Sequence, residues 1–181
     1  MLARIAGAQV IGTASPRHFA AVRALGATPV DYATNHLEAR VRELAPGGCA
    51  AVFDHVGGES VVRSHRLLAP RGRLVVYGSA STRDAPGSSK RPILVLSPRL
   101  TWWSLRPDGR RARFFNVWAG QRRSRRRFHA RVRHDLAEVL GLLADGQLRP
   151  QVAARYPLGD AAAALRLAES RAVVGRVVLT P

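Results

Sequence analysis

Cysteine, lysine and acidic residues are scarce in this chain, and each shortage narrows what it can do. A single cysteine, Cys49, excludes an internal disulfide framework, and without a second cysteine or a closely spaced histidine pair the sequence offers no metal-ligand spacing. Cys49 itself reads as a small, buried strand residue. No apolar run nears the roughly 18 residues of a membrane helix, and the first residues lack the charged start, apolar core and cleavage pattern of a secretory signal. A cytoplasmic protein with no membrane partner is expected. The 12 acidic residues face 29 basic ones, a formal charge of +17, and every basic residue except Lys90 is arginine.

Against these shortages stand 46% apolar residues, enough for a buried core in 181 residues. They are organised around residues 49–79. A short apolar run at 50–53 is closed by Asp54, followed by a Gly-Gly break, about ten residues of helical spacing, a Pro-Arg-Gly turn and a second apolar run at 74–77 closed by Gly78. Strand, crossover helix and strand of this kind belong to a parallel sheet covered by helices. The prediction is therefore an α/β, doubly wound domain with ligands beyond the carboxyl ends of its strands.

The rest of the chain keeps the alternation. Residues 2–5 read as the end of a helix stopped at Gly7, residues 9–13 as a buried strand, and Ser15 as an N-cap with Pro16 at the first helical position. Val30 sits in a very short strand. Asn35 and Glu38 have capping-box spacing for a helix continued by Val41 and Leu44. Residues 92–105 are apolar, with two prolines and two tryptophans, and leave helix and strand both open, while 113–118 (RFFNVW) alternates like a strand. An amphipathic helix through Leu136, Val139 and Leu143 precedes a last strand, an Ala-rich helix capped by Asp160, and a final strand at 173–179. Residues 1–134 and 135–181 are the expected domains. Twelve arginines and one acid, Asp108, lie between Arg99 and Arg133, so a nucleic-acid footprint has to be weighed. Only Phe128 is interleaved in residues 122–133, which favours a solvated, arginine-biased surface over a recognition platform.

In ARIAGAQVIGTAS, RALGAT, VDY, VFDHVGG, LLAPRGRLVVYGSAS and the tail YPLGDAAAALRLAESRAVVGRVVLTP, nearly the whole chain resembles the C-terminal part of a medium-chain dehydrogenase/reductase of the zinc-free quinone oxidoreductase-like branch. The tail is the most selective of these. The resemblance implies an incomplete Rossmann-type sheet, with a substrate domain, a first strand and a glycine-rich loop expected before the point where Met1 stands. It implies an NADP(H) site with no metal. Thr13 and Ser15 would lie by the adenosine ribose, Arg17 by the 2′-phosphate and Tyr32 near the adenine. Val56 and Gly57 would approach the adenosine side, Gly78 and Ser79 the nicotinamide side. Asn116 would back the nicotinamide, and Arg176 could reach the phosphates.

In such proteins hydride passes from the nicotinamide to a quinone or enone, so binding and orientation dominate and no dedicated acid or base is needed. None is evident: Asp54 reads as a turn or ribose contact, and His55 points to the opposite face from it. The expectation is an NADPH-dependent oxidoreductase present as a truncated cofactor-domain portion with weakened cofactor binding, and a homodimer formed through an edge strand. The alternatives are a non-catalytic association module and an arginine-rich nucleic-acid-binding protein.

Overall fold

In the computed structural model, which describes residues 1–78, 91–170 and 172–181, every strand pairing is parallel. The elements run in the order α1 (Leu2–Ile5), β1 (Ile11–Ala14), α2 (Phe19–Ala24), β2 (Thr28–Asp31), α3 (Leu37–Leu44), β3 (Cys49–Asp54), α4 (Glu59–Arg66) and β4 (Leu68–Val76). They continue with α5 (Arg91–Ser104), β5 (Arg111–Phe114), α6 (Arg125–Ala144), β6 (Val152–Pro157), α7 (Ala161–Glu169) and β7 (Arg176–Thr180). The strands form three separate sheets, β1-β2, β3-β4-β5 and β6-β7, so the strand and helix alternation is as expected but no single sheet joins the described strands. Two compact units result. One is Met1–Ala33 with Arg123–Pro181, the other Thr34–Arg122. The boundary expected after residue 134 falls inside α6.

The second unit holds the main core. Alternation along β4 turns Leu74 and Val76 to one face of its sheet, where they are fully buried with Val61 of α4 and Leu68. Leu100 and Trp103 of α5 and Ala112 of β5 complete the cluster. Full burial of such side chains stabilises by about 1.5–3 kcal/mol each, which makes this layer of two helices on three strands the part that fixes the rim above it. Phe53, although β3 reads as apolar on both faces, is 67% exposed.

Tertiary pairing moved several local boundaries. Residues 92–105, unassigned from sequence, lie in α5, which carries Pro98 in its interior. Ser104 Oγ meets the carbonyls of Leu100 and Ala112 at 2.9 and 3.0 Å and accepts the Ala112 N–H, locking the end of α5 to β5. The expected strand 113–118 ends at Phe114, because Phe115 N–H returns to the Val76 carbonyl and Asn116 Oδ1 takes the Trp118 N–H, starting a turn. The Asn35 capping box does not form. Thr34 Oγ1 instead accepts the His36 N–H, and α3 starts at Leu37. The arginine run is the first part of α6, capped by Ser124 Oγ accepting from Arg127 N–H.

His65 of α4 is buried and stacked on Trp103, ring centroids 4.1 Å apart, with Nε2 lacking a partner among the described residues. Burial, reinforced by the nearby Arg110 guanidinium, holds its imidazole below the ordinary value of about 6.5. The unfolded chain therefore binds this proton more readily. The stabilisation is present above about pH 6.5 and is lost as pH falls through that value towards the folded pKa. Urea unfolding at pH 7 and pH 5 is expected to show lower stability at pH 5, with a smaller fall in a His65→Phe variant, which keeps the stacking but cannot titrate.

Candidate functional site

In parallel sheets the last residue of each strand and the turn after it form a rim where ligands gather. The second unit builds such a rim from β3, β4 and β5, whose register aligns Asp54 with Val76 and Val76 with Phe114. His55 to Gly58, Tyr77 with Gly78, and Phe115 with Asn116 therefore leave the sheet side by side.

Asp54 shapes the first of these turns. It is 4% exposed, and its Oδ1 accepts the N–H groups of Val56 and Gly57, both at 2.9 Å. Oδ2 accepts the hydroxyls of Ser60 at 2.8 Å and Ser64 at 2.7 Å, one helical turn apart on α4. Four donors on one buried carboxylate make it the fastener between strand end, turn and helix. That arrangement assigns Asp54 to the turn and leaves it no role as a general base. It also commits the amides of Val56 and Gly57, so those residues offer a ligand their surface and not their N–H groups. Gly57 adopts φ +83°, where a side chain would be strained.

Gly78 is required for a different reason. A Cβ at this position would stand 2.7 Å from the His55 carbonyl oxygen, so only glycine lets the end of β4 approach the end of β3 this closely. The rings of His55 and Tyr77 stack beside it at 5.8 Å. Asn116 is exposed, its side chain engaged in the turn to Trp118. Ser79 lies outside the described residues.

The first unit has a smaller rim. β1 pairs with β2 from Ile11 against Thr28 to Ala14 against Asp31, which places Ser15 and Tyr32 next to one another in register immediately past the strand ends. Thr13 is exposed within β1. Ser15 precedes the helical turn of Pro16–His18, as its sequence predicts, but its side chain makes no capping hydrogen bond. Arg17 is exposed and its Nε lies 3.2 Å from His18 Nε2. Tyr32 is 57% exposed. Arg176 stands at the amino end of β7, its N–H on the Gln151 carbonyl. A hydroxyl, a guanidinium and a phenol ring at one strand end match the ribose, phosphate and base of an adenosine phosphate.

The family model described as zinc-binding dehydrogenase matches residues 25–179. The chain belongs to that family. Its relatives place it in the quinone oxidoreductase-like branch of the medium-chain dehydrogenase/reductase proteins. A quinone oxidoreductase of Pseudomonas aeruginosa is 30% identical over 99% of the chain and 51% of its own length. The synaptic vesicle membrane protein VAT-1 homolog of Homo sapiens is 29% identical over 95% of the chain and 44% of its own length. A mycobacterial structure complexed with NADPH superposes with a TM-score of 0.68 at 28% identity, over 99% of this chain and 51% of that one. The chain thus spans about half the length of these relatives.

Among the described residues no three His, Cys, Asp or Glu side chains gather, and burial pushes the thiol of Cys49 up. No described helix is long and apolar enough to cross a membrane. No G-x-G-x-x-G stretch, the kind that cradles a dinucleotide pyrophosphate, occurs in the 181 residues. Sequence reasoning missed the Ser60 and Ser64 clamp, although an Asp followed by two serines four apart on a predicted helix was a legible sign. It also missed the stack of His65 on Trp103, for which two residues 38 apart gave no sign.

Proposed function

We propose that this chain is the cofactor-binding part of an NADPH-dependent oxidoreductase that transfers hydride to a quinone or enone. The observation that carries the reading is the parallel register that gathers Val56, Gly57, Gly78 and Asn116 at one rim, in a chain whose family match runs through all of them. When bound, the nicotinamide supplies the hydride; the residues of this chain bind and orient. Ser15, with Thr13 beside it, holds the adenosine ribose, Arg17 the 2′-phosphate, and Tyr32 the adenine. Val56 and Gly57 line the adenosine side, and Gly78, with Ser79 after it, lets the nicotinamide lie close to the backbone. Asn116 backs that ring, and Arg176 serves the phosphates. The residues before 135 act as the nucleotide domain and those after it as the segment that meets a substrate domain. Without a glycine-rich loop in these 181 residues, weak retention of NADPH is expected.

Fluorescence titration with NADPH and NADH tests the assignment of Arg17. A guanidinium on the 2′-phosphate is worth about 1.5–3 kcal/mol as a charged hydrogen bond, so Arg17→Ser is expected to weaken NADPH by tenfold or more and to leave NADH unchanged. Equal loss of both coenzymes, or of neither, would remove Arg17 from the site.

A further inference from the structure

His65 follows directly on the clamp that holds the rim turn. Ser60 and Ser64 of α4 donate to Asp54 Oδ2, while Asp54 Oδ1 accepts the amides of Val56 and Gly57. His65, the residue after Ser64, shares the buried face of α4 with Val61 four residues earlier and is 6% exposed. Its ring lies nearly flat on Trp103, the two planes 17° apart, and its Nε2 is buried without a partner among the described residues. A neutral imidazole tolerates this position. In the charged form both ring nitrogens donate, so a proton taken up here would bury a charge and leave an N–H with no acceptor.

The surrounding charges oppose that proton as well. Arg106, Asp108 and Arg110 of the turn after α5 act on the ring, and the Arg99 guanidinium of α5 lies 5.4 Å from the centre of Trp103. Asp108 is already engaged: Oδ1 accepts the Arg110 N–H at 3.0 Å, and Oδ2 lies 3.7 Å from Arg110 Nη1. Of the strands packed on α4, β3 brings the Cys49 thiol and Asp54, which is taken up by the turn and the serines, and β4 brings Arg71 and Arg73. On α4 itself Glu59 stands at the far end, Arg63 lies one residue before Ser64, and Arg66 pairs with Glu38 of α3. Cations outnumber acids around the ring, so an imidazolium is driven from its place on Trp103. We propose that His65 is a pH-sensitive latch on the rim: on taking up a proton its ring leaves Trp103, α4 shifts at Ser64, and the Asp54 turn that carries Val56 and Gly57 loosens. Given the NADPH assignment above, on which this consequence rests, the chain then holds the coenzyme less tightly in acid than at neutral pH.

Backbone amide exchange of the whole chain at pH 7 and pH 5, corrected for the intrinsic rate, reads the latch without coenzyme. Protection at Val56 and Gly57 is expected to fall about tenfold more than at Phe115, whose amide is bonded to the Val76 carbonyl in the same sheet and reports general loosening. His65→Phe keeps the stack but cannot titrate, and equal changes at all three amides are expected in it. His65→Gln, which cannot titrate either, serves if the phenylalanine variant does not fold. Equal falls at the three amides in the parent, or the parent's pattern retained in the variant, would overturn the latch whatever NADPH does. Fluorescence titration with NADPH at the same two pH values reads the consequence. The 2′-phosphate takes up a proton at about pH 6 whichever protein is present, and beyond this shared loss the parent is expected to lose about tenfold more affinity than His65→Phe. Equal losses in the two would overturn the coupling of latch to site. No NADPH binding at either pH, with the amides responding as expected, would remove the coenzyme assignment and leave the latch supported.

Discussion

Replacing Asp54 with alanine is expected to lower the stability of the chain by about 3–5 kcal/mol in urea unfolding, a large part of what a domain of this size holds. The reason is the number of donors left behind. The buried amide of Gly57, the part-buried amide of Val56 and two hydroxyls on α4 would lose their acceptor together. Each group deprived of its partner away from water costs about 1–3 kcal/mol, and the serines recover part of this by rotating. Asp54→Asn separates geometry from charge. Its carbonyl oxygen can still take both amides, and its NH2 can donate to the serine hydroxyls once these reverse, so a loss of only about 1–2 kcal/mol is expected. If alanine and asparagine destabilised equally, the carboxylate charge and not the acceptor pattern would be the important property.

Trp103→Ala is expected to cost a further and similar amount, about 3–5 kcal/mol, by leaving a cavity between α4, α5 and the sheet. Trp103 is only 8% exposed, lies in the same cluster as Leu74 and Val76, and carries His65 on its ring and the Arg99 guanidinium 5.4 Å from its centroid. Removing it admits water to His65. The imidazole should then return towards its ordinary value, and the loss of stability between pH 7 and pH 5 should shrink in the same variant. Urea unfolding at the two pH values reads both effects. A large destabilisation with an unchanged pH dependence would mean that something other than this ring desolvates His65.

How much of this was legible in the sequence depends on the range of the interaction. The turn at Gly57 and Gly58, the helix between β3 and β4 and the βαβ tail are set by local punctuation, but the turn expected at Pro70–Gly72 lies inside β4, which already starts at Leu68. β3 was placed within a residue or so at each end. Long-range pairing was not legible. Phe115 looked like a strand residue until its amide was seen to return to Val76, and α5 was hidden by Pro98, which argues against helix locally while Leu100 and Trp103 bind the helix into the core. The exposure of Phe53 could not have been read either, because an apolar strand gives no sign of whether one or two of its faces are covered. At the candidate site, the positions of Val56, Gly57, Gly78 and Asn116 at a common rim followed from the strand ends. The commitment of two of their amides to Asp54 did not, since it depends on serines supplied by the next helix.

The decisive property is where a dinucleotide touches this chain. Titrating NADPH into the isotope-labelled protein and following backbone amide shifts reads this directly. The proposed site predicts changes concentrated at Ser15 and Arg17, at Tyr32, and at the turn residues Val56, Gly57, Gly78 and Asn116, even if binding is weak. Changes confined to the arginines of α6, or a spectrum unaltered at millimolar NADPH, would contradict it.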